Sequence, residues 1–128
     1  MKYILDAQIV IWLASNSPRL SEDAKRAILD PLNEHYVSIV SAWEAAIKIG
    51  LGKLRINGGV SEFFRIIYEN GFETLPLKEK YVHGLPNLPL IHRDPFDRMI
   101  IMTAITEDMS IITSDSDILR YGVNCILS

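Results

Sequence analysis

The sequence predicts an α/β fold in which helices cover both faces of a central, mostly parallel sheet. Short, apolar, uninterrupted strand-like runs alternate along the chain with segments of helical period. Strands that are apolar throughout, rather than apolar at every second residue, are those buried on both faces, as helical crossovers require. With 128 residues, 48% of them hydrophobic and 23% charged, the chain suits a single domain over residues 1–128 with a core of its own.

The elements follow in order. Residues 3–5 form a short strand, and residues 8–14, with Ile9, Val10, Ile11, Trp12 and Leu13, a mostly buried helix broken by Ser15-Asn16-Ser17-Pro18. Ser21 caps a second helix to about residue 30, with Glu22 and Asp23 in the first turn, where the helix dipole favours acids, and Pro31 as its stop. The β-branched run at 36–40 is a strand, and Ser41 opens a helix that reaches Gly50 and Gly52. Residues 61–70 set Phe63, Phe64, Ile66, Ile67 and Tyr68 at helical spacing, closed by Gly71, and this face is expected to be core. Residues 72–77 are a short strand interrupted by Pro76, residues 78–84 a brief helix, and Pro86 and Pro89 mark a loop. Asp94 caps and Pro95 starts an apolar helix to about residue 108. A strand at 110–113, a turn of helix at 117–121 and a last strand at 123–127 complete the chain.

Composition narrows the function classes. Net charge is −3 and the pI about 5.5, which argues against a broad basic face for nucleic acid but permits a local basic rim. Lys48, Lys53 and Arg55 follow Glu44 closely, and Arg93 and Arg98 flank Asp94-Pro95-Phe96-Asp97. The single cysteine, Cys125, has no disulfide partner and reads as a small buried side chain. No run approaches the ~18 apolar residues of a membrane span, and the N-terminus opens directly into a strand, so a cytoplasmic protein is expected.

The acids carry the chemical signal. Asp6 ends the first strand, Glu44 and Asp97 lie near helix starts, and Asp115 follows the strand at 110–113. Each has a plain structural explanation. Asp6 can cap the following helix, Ser41-Ala42-Trp43-Glu44 has the form of a capping box, and Asp97 can compensate a helix dipole. Asp115 and Asp117 can form turns or caps, and Asp94 needs no role beyond its cap. Four separate caps do not explain why the acids recur on the side of a parallel sheet where ligands bind. Carboxylates that converge raise one another's pKa and repel, an arrangement made tolerable by a hard cation.

Four segments together resemble the ordered motifs of PIN-domain proteins, most closely the VapC-type toxins of prokaryotic toxin–antitoxin pairs. They are Ile4-Leu5-Asp6 with Ile11-Trp12, residues 41–48 from Ser41 through Glu44 to Lys48, residues 92–98 from His92 through Asp97 to Arg98, and Thr113-Ser114-Asp115. The resemblance spans nearly the whole chain. It implies a PIN-like three-layer sandwich and a ribonuclease dependent on Mg²⁺ or Mn²⁺, with Asp6, Glu44, Asp97 and Asp115 as its catalytic and metal-binding residues and Asp117 as an accessory. It also implies a small antitoxin that covers the active site, and a homodimer. Asp6 and Asp97 are the expected direct ligands, Glu44 and Asp115 ligands or positioners of a metal-bound water, and Lys48, Arg93 and Arg98 contacts to RNA.

One departure stands out. Family members often carry Asp-Thr-His or Asp-Thr-Asn after the first strand, whereas this chain has Asp6-Ala7-Gln8. Without a hydroxyl at position 7, an outer-shell hydrogen bond to the first carboxylate is expected to be missing, a loss that typically costs ~10–100-fold in metal affinity or activity. Ala7 is therefore the best argument for a non-catalytic binding module of the same fold. A phosphatase or phosphotransferase using Asp6 as nucleophile is a further alternative, but the dehalogenase type wants a second Asp where Gln8 stands.

Overall fold

Five strands, β1 (Lys2–Leu5), β2 (Glu34–Ser38), β3 (Glu73–Leu75), β4 (Ser110–Thr113) and β5 (Cys125–Leu127), form one sheet in the order β3-β2-β1-β4-β5, with every pairing parallel. The structure is a computed structural model that describes residues 1–128. Its helices are α1 (Ala7–Ala14), α2 (Glu22–Leu29), α3 (Ile39–Gly50), α4 (Gly59–Glu69), α5 (Glu79–Gly84) and α6 (Pro95–Glu107), with 3₁₀ turns at Leu85–Asn87 and Ser116–Tyr121.

Alternation along the strands sends neighbouring side chains to opposite faces. Tyr3, Leu5, Val37 and Ile112 join a core with Ile9, Val10, Ala24, Ile28, Phe63 and Ile67 of α1, α2 and α4. Ile4 and Ile111 face the other way, into a core with Tyr81 of α5 and Ile100, Ile101 and Met102 of α6. The result is the three-layer sandwich expected from the sequence. Ile4, Ile111 and Ile112 are fully buried, and truncating such a side chain to Ala costs about 2–5 kcal/mol. The strand ends that carry the acids are thus anchored by the best-packed part of the molecule. No helix is long and apolar enough to cross a membrane.

The topology itself selects a site. The chain runs outward from β1 to β2 and β3, then crosses to β4 on the other side of β1, so the direction of winding reverses between β1 and β4. In open parallel sheets, ligands bind beyond the carboxyl ends at such a reversal.

Several boundaries differ from those expected. The helix read as starting at Ser41 begins at Ile39, capped by Ser38, whose hydroxyl accepts from the Val40 N–H at 3.1 Å. Ile39 and Val40 have strand propensity, but pairing with β3 ends at Ser38↔Leu75 and the earlier cap takes over. Ser41 therefore lies inside α3, fully buried, and the capping box expected with Glu44 does not form. The helix α4 starts at Gly59 rather than at residue 61, after Gly58 in a left-handed conformation that favours glycine. β3 stops before Pro76, which has no N–H to offer the ladder, and the last strand shortens to Cys125–Leu127.

Candidate metal centre

At the β1–β4 reversal, a cavity of about 190 Å³ is lined by Asp6, Glu44, Asp94, Asp97 and Asp115, with Lys48 the one basic side chain on its wall. Ala7, Gln8, Ile11, Ala45, Leu54 and Ser114 complete it. All four principal acids expected from the sequence thus share one cavity, and Asp94 joins them while also capping α6 through the N–H groups of Phe96 (2.8 Å) and Asp97 (3.4 Å).

Asp6 is the most enclosed of the acids. Its Oδ1 accepts from the Ile9 N–H at 3.0 Å as the cap of α1, and its Oδ2 accepts from the Thr113 hydroxyl at 2.6 Å and the Ser114 N–H at 3.2 Å. Cap and site residue are therefore the same side chain. Burial raises its pKa, against the lowering effect of these three donors.

Thr113, in sequence only one position of a motif, links two acids. While its hydroxyl hydrogen goes to Asp6, its oxygen accepts from the Asp115 N–H at 3.0 Å. A hydroxyl donor thus reaches Asp6 from across the sheet, because the Asp6 N–H bonds to the Ile112 carbonyl at 3.1 Å and brings the two strand ends side by side. Both oxygens of Asp6 therefore have donors although position 7 offers no hydroxyl. A fully buried hydroxyl at the end of an apolar strand was the available signal, but pairing between β1 and β4 is needed to read it.

Asp115 caps the turn Ser116–Tyr121, its Oδ1 accepting from the Asp117 N–H at 2.9 Å, while its Oδ2 receives His92 Nε2 at 2.6 Å. Burial pushes its pKa up, but the His92 and Asp117 hydrogen bonds outweigh this and the net shift is downward. Nε2 of His92 also lies 3.1 Å from Asp97 Oδ2. Partial burial disfavours a charged imidazole, yet the hydrogen bond to Asp115 and the charges of Asp97, Asp115 and Asp94 raise its pKa overall. In the sequence alone, His92 has no role beyond its place in a motif. Asp117 is exposed at the outer edge, with a carboxylate oxygen within 4.8 Å of ligand atoms of His92 and Asp115.

The helix-borne acids are brought together by packing. Trp43 and Phe96, which immediately precede Glu44 and Asp97, meet edge to face with centroids 5.1 Å apart and seat α3 against α6. Freed from any capping duty, Glu44 pairs with Lys48 at 3.4 Å; burial raises its pKa more than Lys48 lowers it. Asp97 is pushed from 3.8 to about 7, first by burial and then by Asp94, with Glu44 and Asp6 adding to it. An oxygen-only donor set with suppressed ionisation fits a hard divalent cation, whose charge would favour the ionised forms.

The expected basic rim divides. Lys48 reaches the cavity wall, and Arg93 is exposed outside it. Arg98 points elsewhere: its guanidinium donates to the carbonyls of Pro89 (2.9 Å), Leu88 (3.2 Å) and Leu85 (3.4 Å), clamping the loop before α6.

Comparison with known proteins agrees with this architecture. The PIN domain model matches residues 3–124. No curated protein matches the sequence. Among solved structures, the chain is similar to VapBC2 from Rickettsia felis bound to a DNA fragment from their promoter, with 16% identity, coverage of 99% of this chain and 98% of that one, and a TM-score of 0.75. It is similar to VapBC-1 from nontypeable Haemophilus influenzae at 18% identity, with 99% and 98% coverage and a TM-score of 0.71. It also resembles DNA-bound VapBC from Salmonella typhimurium at 16% identity, with 98% and 97% coverage and a TM-score of 0.68. These likenesses establish a shared fold, and with a family match over almost its whole length the chain belongs to the PIN-domain family.

Proposed function

We propose that the chain is a metal-dependent endoribonuclease, the toxin of a toxin–antitoxin pair, which hydrolyses RNA phosphodiester bonds with Mg²⁺ or Mn²⁺. The observation that supports this most is the convergence of Asp6, Glu44, Asp97 and Asp115 from two strand ends and two helices on one cavity. A bound divalent cation supplies charge neutralisation at a phosphate and a water of lowered pKa. Asp6 and Asp97 are the direct ligands in this reading, and Glu44 and Asp115 hold the cation or orient water, with Asp117 an outer accessory. With its pKa raised to about 7, Asp97 is only partly ionised at neutral pH in the metal-free chain, and becoming a ligand would release the remaining proton.

Lys48, on the wall of an otherwise acidic cavity, contacts the RNA backbone; Arg93 is a second, more peripheral contact. Arg98 has a lesser claim, since its donors already serve the loop before α6. Likeness to VapBC structures supports an antitoxin as partner; a homodimer is proposed on the family resemblance alone. Replacing Asp6 or Asp97 with Asn is expected to abolish cleavage of RNA in Mg²⁺ or Mn²⁺, and chelation of the metal is expected to do the same in the parent protein. Retained cleavage in a folded variant removes that residue from the site.

A further inference from the structure

We propose that His92 is a positioning residue that clamps Asp97 of α6 to Asp115 beyond β4, so that both carboxylates face one cation. The inference rests on the metal-site reading above and adds a residue to it.

The imidazole is built into the junction between the two elements it joins. The His92 N–H donates to the Tyr121 hydroxyl at 2.7 Å, and the Ile91 N–H reaches the same oxygen at 3.1 Å. Tyr121 lies in the turn that Asp115 caps, and Arg98, one residue after Asp97, approaches the His92 carbonyl at 3.5 Å. The backbone of His92 is therefore tied to both acid-bearing segments.

The tautomer decides between a ligand and a donor. Nδ1 accepts the Asp94 N–H at 3.0 Å, which requires its lone pair, so the ring hydrogen is on Nε2. Nε2–H then points at Asp115 Oδ2 (2.6 Å) and Asp97 Oδ2 (3.1 Å). Direct ligation through Nε2 would move that hydrogen to Nδ1, against the Asp94 N–H. His92 is thus a donor to the acids rather than a ligand, despite its closeness to Asp115 and Asp117. The donor offsets repulsion between two carboxylates on separate elements, and with the Asp117 N–H on Oδ1 it fixes the Asp115 carboxylate from both sides.

Two substitutions in the full chain separate this role from loop folding. In His92→Asn, the side-chain oxygen retains an acceptor for the Asp94 N–H but no donor reaches the acids. In His92→Gln, an amide N–H sits near the Nε2 position while the Nδ1 acceptor is lost. Mn²⁺ affinity, read by electron paramagnetic resonance and calorimetry on Mn²⁺ alone, is expected to fall about 10–100-fold in H92N and to return to within a few-fold of the parent in H92Q. Parent-like or tighter Mn²⁺ binding in H92N overturns the proposal. So does an equal loss in both variants that tracks a lowered metal-free melting temperature. If Mn²⁺ binding follows the expected pattern but the parent chain cuts no RNA, the ribonuclease reading falls and the clamp stands.

Discussion

The candidate site has two halves built on different principles. Asp6 and Asp115 lie just beyond two paired strands, and every carboxylate oxygen of theirs meets at least one donor: Ile9, Thr113 and Ser114 around Asp6, Asp117 and His92 around Asp115. Glu44 and Asp97 project from helices, with one partner each, Lys48 and His92. The strand half is oriented in advance, while the helix half carries like charges close together with few donors to hold them. Such a contrast suits a centre in which fixed acids set the position of a cation and less constrained acids close on it.

The largest test of that contrast is Thr113→Val, which keeps the shape of the side chain and removes the hydroxyl that donates to Asp6 and accepts from the Asp115 N–H. The Asp115 N–H is left without its acceptor, and a loss of about 1–3 kcal/mol in unfolding free energy is expected from urea titration. Mn²⁺ affinity is expected to fall about 10–100-fold. Unchanged metal binding in T113V would mean that the strand half needs no such bridge.

A second test sharpens the contrast by pH. Asp97 has its carboxyl raised from 3.8 to about 7, so the folded chain holds a proton that the unfolded chain releases. Its contribution to stability is complete below about pH 4 and is lost as pH rises through about 7. Asp6 and Glu44, also raised, act in the same direction, whereas Asp115, lowered, favours folding above its unfolded pKa and loses that contribution as pH falls. Metal-free Asp97→Asn is therefore expected to be more stable than the parent at pH 8 and nearly equal to it at pH 4, by thermal unfolding. Stabilisation by added Mn²⁺ should grow with pH in the parent. A pH-independent difference would remove Asp97 as the source.

The smallest effect is expected from Lys48→Ala. Its pair with Glu44 is an i,i+4 contact with the lysine half exposed, so stability changes by at most about 0.5 kcal/mol. RNA binding should weaken with little sequence preference, and its salt dependence should drop by about one phosphate contact. An unaltered salt slope would place the RNA path elsewhere.

Much of this could be read from the chain alone because the relevant signals are local. Apolar strand runs, helix caps and the acids that follow β1 and β4 are all properties of neighbours in sequence, and each was legible at its own position. Ser38 replaced Ser41 as the cap of α3 because strand pairing, not propensity, decides where β2 ends. That shift turns Glu44 from an expected cap partner into a cavity carboxylate paired with Lys48, something no reading of Ser41-Ala42-Trp43-Glu44 reveals.

The sequence by itself determined an α/β chain with acids at the right ends of its elements. Only the tertiary structure decided that Asp94 both caps and lines the cavity, that Thr113 donates its hydroxyl to Asp6, that His92 spans Asp97 and Asp115, and that Arg98 serves a loop. The physical reason is range. A cap or a strand is fixed by groups a few residues apart, whereas Thr113 meets Asp6 across 107 positions and His92 meets Asp115 across 23, contacts that exist only once β4 has paired with β1.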